Sequence, residues 1–256
     1  MENKQEEYMS DTVLLAERKT KTIYREGNKV VKRFNENYSK ADVLNEALNQ
    51  ARVEESNLHI AKILAVTTIN NQWSIELEYV EGRTLQQLMD ENPDKIDEYL
   101  EMFVNIQIEM HKQVCPRLGK LKDKYRRKLA LLDIDPSTKY DLYTKLDAMP
   151  KHTKLCHGDF NPSNIIVQED GTPVILDWSH ATQGNASSDA AYAYLDFLLQ
   201  GKKDIAKKYI KLFSKKTNTA LQYVQSWISL VSAVKLLKAT EEEKEILMKF
   251  IQVVEY

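Results

Sequence analysis

Over the first third of the chain, apolar and polar positions alternate with the period of strands, and beyond it they recur with the period of helices. Val13–Ala16, Thr22–Arg25 and Val30–Phe34 read as strands. A polar loop, Arg18–Lys21, separates the first two, and the turn Glu26-Gly27-Asn28-Lys29 separates the second and third. Ser39 is the expected N-cap of a helix with Val43, Leu44, Ala47, Leu48 and Ala51 along one face. Ile60–Ile69 and Trp73–Val80 follow as strands joined by Asn70-Asn71, a hairpin signal. The order β-β-β-α-β-β predicts a small antiparallel sheet with one helix.

The pattern changes after Glu81-Gly82-Arg83. Leu85, Leu88 and Met89 start a helical period, and Ile96–His111 is strongly amphipathic. Lys122–Leu132, Ser137–Leu146, Ser188–Gln200, Asp204–Ser214, Thr217–Lys238 and Glu241–Val254 all read as helices. One interruption stands out: Ile165–Val167 and Val174–Leu176, two short apolar runs around the turn Glu169-Asp170-Gly171. The expected class is α+β with two lobes. Residues 1–81 form a β-rich N-lobe and 82–256 a larger, mainly helical C-lobe, with a cleft between them as a favoured ligand site.

Composition narrows the function. A chain of 256 residues can bury a real core without disulfides or a structural metal. Its formal charge of −2 argues against nucleic-acid binding through a general basic field. Cys115 and Cys156 show no CxxC spacing and read as buried thiols in a reducing compartment. The polar, acidic start MENKQEEYMSDT lacks a signal peptide's apolar run. No stretch approaches the ~20 apolar residues of a membrane span. A cytoplasmic protein without a membrane or nucleic-acid partner is expected; the oligomeric state is open.

The chemistry concentrates in Leu155–Trp178, LCHGDFNPSNIIVQEDGTPVILDW. Asp159 and Asn164 precede one short strand and Asp177 follows the next, so the hairpin is expected to gather three oxygen-bearing side chains at one edge. Taken alone, the stretch allows a metal hydrolase or a kinase. A binuclear hydrolase needs several more His and Asp at fixed spacing, and His59, His111, His152 and His180 are scattered. Phosphoryl transfer needs a carboxylate to take the acceptor's proton, which suits Asp159. It needs oxygen ligands for magnesium, which suit Asn164 and Asp177. It also needs a cation for the phosphates, which suits Lys32, with Glu46 on the following helix to hold that lysine. Alone, Lys32 would be a solvated strand lysine and Glu46 a surface charge.

In these features the chain resembles the aminoglycoside phosphotransferase–choline kinase family, small-molecule kinases with a protein-kinase-like fold. The resemblance runs in order through Lys32, Glu46, the connector Leu77–Gly82, Met110-His111, the loop His157–Asn164, Ile175–Trp178 and Gly184–Asp189. It implies an ATP- and Mg²⁺-dependent kinase acting on a small-molecule hydroxyl. Backbone groups of the connector, around Glu78 and Val80, would bind the adenine edge, which leaves GTP open beside ATP. Asp189 would be a structural brace of the catalytic loop, and His157 would brace it rather than act as a base. Gly158 stands where protein kinases carry arginine, and only a short segment separates Asp177 from Asp189. Both features favour a small acceptor over a macromolecule. The first loop, Glu17–Thr22, lacks glycine; Thr20 and Thr22, with Lys19 and Lys21, are its candidate phosphate-gripping side chains. A nucleotide-binding pseudokinase or interaction module is the alternative, but its sign would be a lost base or metal ligand. The acceptor stays open among aminoglycosides, choline-like amino alcohols, thiamine, sugars and macrolides. The carboxylates of Asp90–Glu101 would draw a cationic acceptor, or else form a solvated helix face. Trp178, Tyr192, Tyr194 and Trp227 would line a pocket, or else pack.

Overall fold

The computed structural model describes residues 12–251. The expected N-terminal segment and the end of the last helix, out to Val254, lie outside the described residues. The chain divides into two units, one comprising the residues up to Arg83 together with Ile165–Ser179, the other Thr84–Asn164 and His180 onward.

The first unit carries β1 (Thr12–Glu17), β2 (Lys21–Glu26), β3 (Lys29–Phe34), α1 (Lys40–Val53), β4 (Ile63–Ile69) and β5 (Gln72–Glu78). The strands form one antiparallel sheet in the order β1-β2-β3-β5-β4. Asn70 and Asn71 both take positive φ, 51° and 63°, the geometry that suits a two-residue hairpin to the twist of its strands. Side chains alternate across β3, so Val30, Lys32 and Phe34 share one face. Phe34, Val43, Ala47, Ile75 and Leu77 form the core between sheet and helix.

α1 buries a different stripe from the expected one. Val43, Glu46, Ala47, Asn49, Gln50 and Val53 are buried, whereas Leu44 and Leu48 are 42% and 47% exposed. The polar members are buried because each has a partner: Glu46 meets Lys32, Asn49 Nδ2 donates to Ser179 O at 3.1 Å, and Gln50 Nε2 donates to Ala61 O at 2.7 Å. Ser39 holds the N-cap position but makes no side-chain capping bond.

The two-residue β6 (Arg83–Thr84) opens α2 (Leu85–Glu91), whose N-terminus is closed by a capping box between Thr84 and Gln87. Then come α3 (Ile96–His111), α4 (Leu121–Ala130), α5 (Pro136–Ala148), β7 (Lys154–Cys156), β8 (Ile165–Val167), β9 (Pro173–Ile175) and β10 (Thr182–Gly184). β8 and β9 pair as a hairpin and group with the first unit, where Ile60 bridges Ile175. In the second unit β7 pairs with β10. The chain finishes through α6 (Ala186–Leu199), α7 (Lys203–Thr217), α8 (Leu221–Gln225), α9 (Ile228–Leu236) and α10 (Glu241–Ile251).

The expected helix over Thr217–Lys238 is therefore broken twice. Asn218 turns left-handed at φ 51° and ends α7. Ser226 then bonds back to Tyr223 O at 2.7 Å between α8 and α9, a local competitor to the helical ladder. Trp227 is fully buried in the core that α4, α5, α6, α9 and α10 build, and Trp178 is fully buried in the first unit. Neither cysteine forms a disulfide, and both are buried. Among the described residues no helix is long and apolar enough to cross a membrane.

Candidate active site

In the first unit the buried ammonium of Lys32 lies 2.8 Å from Glu46 Oε1 and 3.1 Å from Asp177 Oδ1. Lys32 reaches them because β3 aims it at α1, opposite Ile23 and Ile75 on the flanking strands. Burial by itself would lower its pKa; the Asp177 and Glu46 carboxylates reverse this and hold it above the ordinary lysine range. Asp177 sits at φ 58°, a left-handed conformation uncommon outside glycine but tolerated by Asp, just past β9.

A second cation joins this cluster. Lys21 Nζ lies 2.9 Å from Glu46 Oε1 and 3.8 Å from Asp177 Oδ2. The loop between β1 and β2 is only Arg18–Thr20, so Lys21 and Thr22 belong to β2. Thr20 is exposed in the turn, with its carbonyl accepting from Asn35 N–H at 3.0 Å. On the connector, Glu78 N–H goes to Lys62 O and Tyr79 N–H to Asn28 O, both at 2.9 Å. The Val80 amide has no partner among the described residues. Gly82 has φ 146°, and a Cβ there would fall 2.5 Å from Val167 O, so only glycine fits.

In the second unit the loop after β7 is held from beneath. Asp189, on α6 and 1% exposed, accepts from His157 N–H at 2.7 Å and Gly158 N–H at 2.9 Å. His111 Nε2 lies 3.2 Å from the same carboxylate. Desolvation works against this buried charge, but the bonds from His111 and Gly158 and the nearness of His157 outweigh it and lower its pKa. His157 Nδ1 accepts the Asp159 amide at 3.2 Å, so its ring orients the loop. Phe160 anchors the loop by stacking on Phe103 at 4.6 Å.

Asp159 is half-buried, with its backbone carbonyl bound by Asn161 Nδ2 and Asn164 Nδ2, each at 3.0 Å. Its carboxylate lies close enough to the Tyr192 hydroxyl to act on it electrostatically. Burial, and then Asp159, hold Tyr192 far above the usual tyrosine pKa. Gly158 has φ 79°, and a Cβ there would meet His180 O at 2.7 Å, which explains why no side chain occupies this position.

Asp159, Asn164, His157 and Asp189 thus form one construction in the second unit, and Lys32, Glu46 and Asp177 another in the first. The sequence reading missed Lys21 as a partner of Glu46, His111 as a partner of Asp189, and Tyr192 as a partner of Asp159. For His111 a signal existed: it ends the apolar face of α3, where a buried histidine needs a polar partner. In the acidic run, Asp90, Asp97 and Glu101 pair with Lys202, Lys208 and Lys216, on α7 or just before it.

Residues 16–209 match the model of the phosphotransferase enzyme family. The chain belongs to that family. No curated protein matches it. Three solved structures place the fold. A thermostable mutant of aminoglycoside phosphotransferase APH(4)-Ia, in ternary complex with AMP-PNP and hygromycin B, has 14% identity and a TM-score of 0.69, covering 95% of this chain and 91% of that one. ADP-bound aminoglycoside phosphotransferase APH(2'')-Ib has 16% identity and a TM-score of 0.61, covering 94% and 92%. A choline/ethanolamine kinase family protein from Mesorhizobium loti has 12% identity and a TM-score of 0.57, covering 96% and 90%. At these identities the likeness is one of fold, and it gives this phosphotransferase the kinase-like α+β architecture expected from its sequence.

Proposed function

We propose that the protein is an ATP-dependent small-molecule kinase that transfers a γ-phosphoryl group to an acceptor hydroxyl in the cytoplasm. The observation that carries this reading is Lys32, a buried cation fixed between Glu46 and Asp177. A lysine so held has no apolar task. Its orientation is set in advance for phosphate oxygens, which is where catalysis of phosphoryl transfer resides. The family match and the likeness to structures solved with AMP-PNP or ADP support the same nucleotide.

Asp159 then serves as the base that accepts the hydroxyl proton, held by Asp189 through the loop amides. The free Val80 amide is the connector group suited to an adenine edge. Thr20 and Thr22 would contribute less than their positions in sequence implied, because Thr22 lies inside β2 and its neighbour Lys21 is committed to Glu46.

Magnesium fits the donors present. Among the described residues no group of three or more His, Cys, Asp or Glu could hold a metal ion. Mg²⁺ in kinases needs no such cage, since one or two protein oxygens join phosphates and water around it. Asp177 offers carboxylate oxygens, and Asn164, whose Nδ2 is spent on Asp159, offers Oδ1. When bound, the ion neutralises charge on the transferred group.

The test is Asp159→Asn in purified full-length protein, with ADP release and phosphorylated product followed over a panel of hydroxyl compounds. Loss of transfer with retained ATP binding supports the mechanism. Transfer at the unsubstituted rate removes Asp159 as the base.

A further inference from the structure

A pocket of about 210 Å³ opens in the second unit beside Gly158, lined by Lys124, Lys128, Lys235, Lys238 and Tyr192. It is smaller than the roughly 300–1,000 Å³ sites that take drug-sized ligands. Four lysines and one carboxylate, Glu243, line it. Lys128 and Lys238 make no ion pair among the described residues, and Lys124 donates to a neutral carbonyl, His180 O, at 2.7 Å. Lys235 alone has a carboxylate, Asp196 Oδ1 at 3.5 Å, and its ammonium also lies 3.7 Å from the centre of the Tyr192 ring. Glu243 lines the pocket too, but its Oε2 accepts the Thr240 amide at 2.9 Å as part of a helix cap. Mutual repulsion and burial are visible in the lysines themselves. Desolvation first, then Lys128, push Lys124 down to about 7, and desolvation, then Lys238, push Lys128 down to about 8. Gathering four lysines around a cavity with one lining carboxylate is costly, and an anion that enters offsets part of that cost.

We infer that this pocket binds a small hydroxylated anion, a phosphate monoester or a carboxylate, and that this anion is the phosphoryl acceptor. The inference rests on the kinase reading above and adds the acceptor's class to it. Two residues link the pocket to the base: Gly158, its chain neighbour, lines the pocket, and so does Tyr192, on which the Asp159 carboxylate acts. An anion held by the lysines presents its hydroxyl to Asp159. The acceptor oxygen forms the new bond to the γ-phosphorus, the bond from that phosphorus to the bridging oxygen breaks, ADP leaves with that oxygen, and the hydroxyl proton passes to Asp159. A polycationic acceptor would meet four lysines here.

Full-length protein should be titrated calorimetrically with ribose 5-phosphate, D-glycerate, ribose, choline and hygromycin B, and each then supplied with Mg-ATP for turnover. At least one of the two anions binds and accepts phosphate, and competes where the other compounds do not. Lys128→Gln and Lys238→Gln each weaken that binding about ten- to a hundredfold, the scale of a charge-assisted hydrogen bond. Lys128→Arg largely retains it, and KM for ATP stays unchanged in all three, whose melting points report folding. Neither anion binding, or binding indifferent to both glutamine variants, overturns the inference, as does an ATP KM that rises with them. Turnover of ribose, choline or hygromycin B without competition from the anions also overturns it, while leaving the kinase reading intact. Lysine-dependent anion binding with no transfer to any hydroxyl fails the kinase reading, and the acceptor role falls with it.

Discussion

Lys21 Nζ lies 2.9 Å from Glu46 Oε1, the oxygen that Lys32 reaches at 2.8 Å. One carboxylate thus serves two ammonium groups on adjacent strands. The consequence is an asymmetry. Glu46→Ala leaves one buried and one partly buried cation with Asp177 as the anion they share, whereas Lys32→Ala leaves Glu46 paired with Lys21. Glu46→Ala should cost about 3–5 kcal/mol, the range for removing one partner of a buried ion pair. Lys32→Ala should cost clearly less while abolishing most turnover. Chemical denaturation of both variants checks this, and equal losses would show that Lys21 does not support Glu46.

Asp189 predicts an acid limb. Its folded-state pKa is depressed, so the stability it supplies is fully present above the ordinary carboxylate value and is lost as pH falls through its lower folded value. Asp189→Asn removes the charge that accepts from His157 and Gly158 and neighbours His111. The variant should therefore melt lower at neutral pH, with a shallower decline toward acid. It should also lose turnover, since the loop carrying Asp159 is no longer tied down. Melting curves between neutral and strongly acid pH test the slope; parallel declines would exclude Asp189 as its source.

Gly158→Ala tests the close approach of the loop to His180. The added Cβ meets His180 O at 2.7 Å and must adopt φ near 79°. A cost of about 1–3 kcal/mol is expected from the backbone conformation, together with a fall in turnover. Gly171 makes the control: its φ is 85°, but nothing lies within 4 Å of a Cβ there. Gly171→Ala should lose stability alone, and equal losses of activity in the two variants would mean that the contact with His180 has no bearing on the site.

These relationships differ in how far the sequence foretold them. The sheet was legible because its hairpins are local: Asn70-Asn71 and Gly27 carry their turn geometry within two residues. His157, Asp159 and Asn164 were legible because their spacing is local too. The buried face of α1 was not, since burying Glu46, Asn49 and Gln50 contradicts the hydrophobic pattern until Lys32, Ser179 and Ala61 supply partners from distant segments. The break near Ser226 turned on one side chain's choice of acceptor. The lysine pocket left only a faint trace. Lys124 and Lys128 stand one helical turn apart on the side of α4 that buries Leu121 and Tyr125, but Lys235 and Lys238 come from the far end of the chain.

That pocket also predicts how anion binding depends on pH. Lys124 titrates near 7 and Lys128 near 8, both lowered first by desolvation and then by neighbouring lysines, with Asp189 and Asp159 opposing at Lys124 and Asp159 at Lys128. Below these values both carry charge, and an anion finds them ready; above them the ammonium groups lose their protons and the attraction fades. Affinity for ribose 5-phosphate should therefore fall as pH rises from about 6 to about 9, although the phosphate gains charge over part of that range. Free protein should show the opposite trend in stability. A lysine with a depressed folded pKa binds fewer protons folded than unfolded between that value and its ordinary one, so stability rises with pH across the window. Calorimetric titrations and melting curves at several pH values measure the two slopes on one sample. Lys128→Gln should flatten both, because it removes one titrating group and the neighbour that depresses Lys124; slopes identical to the unsubstituted protein would place their origin outside the pocket.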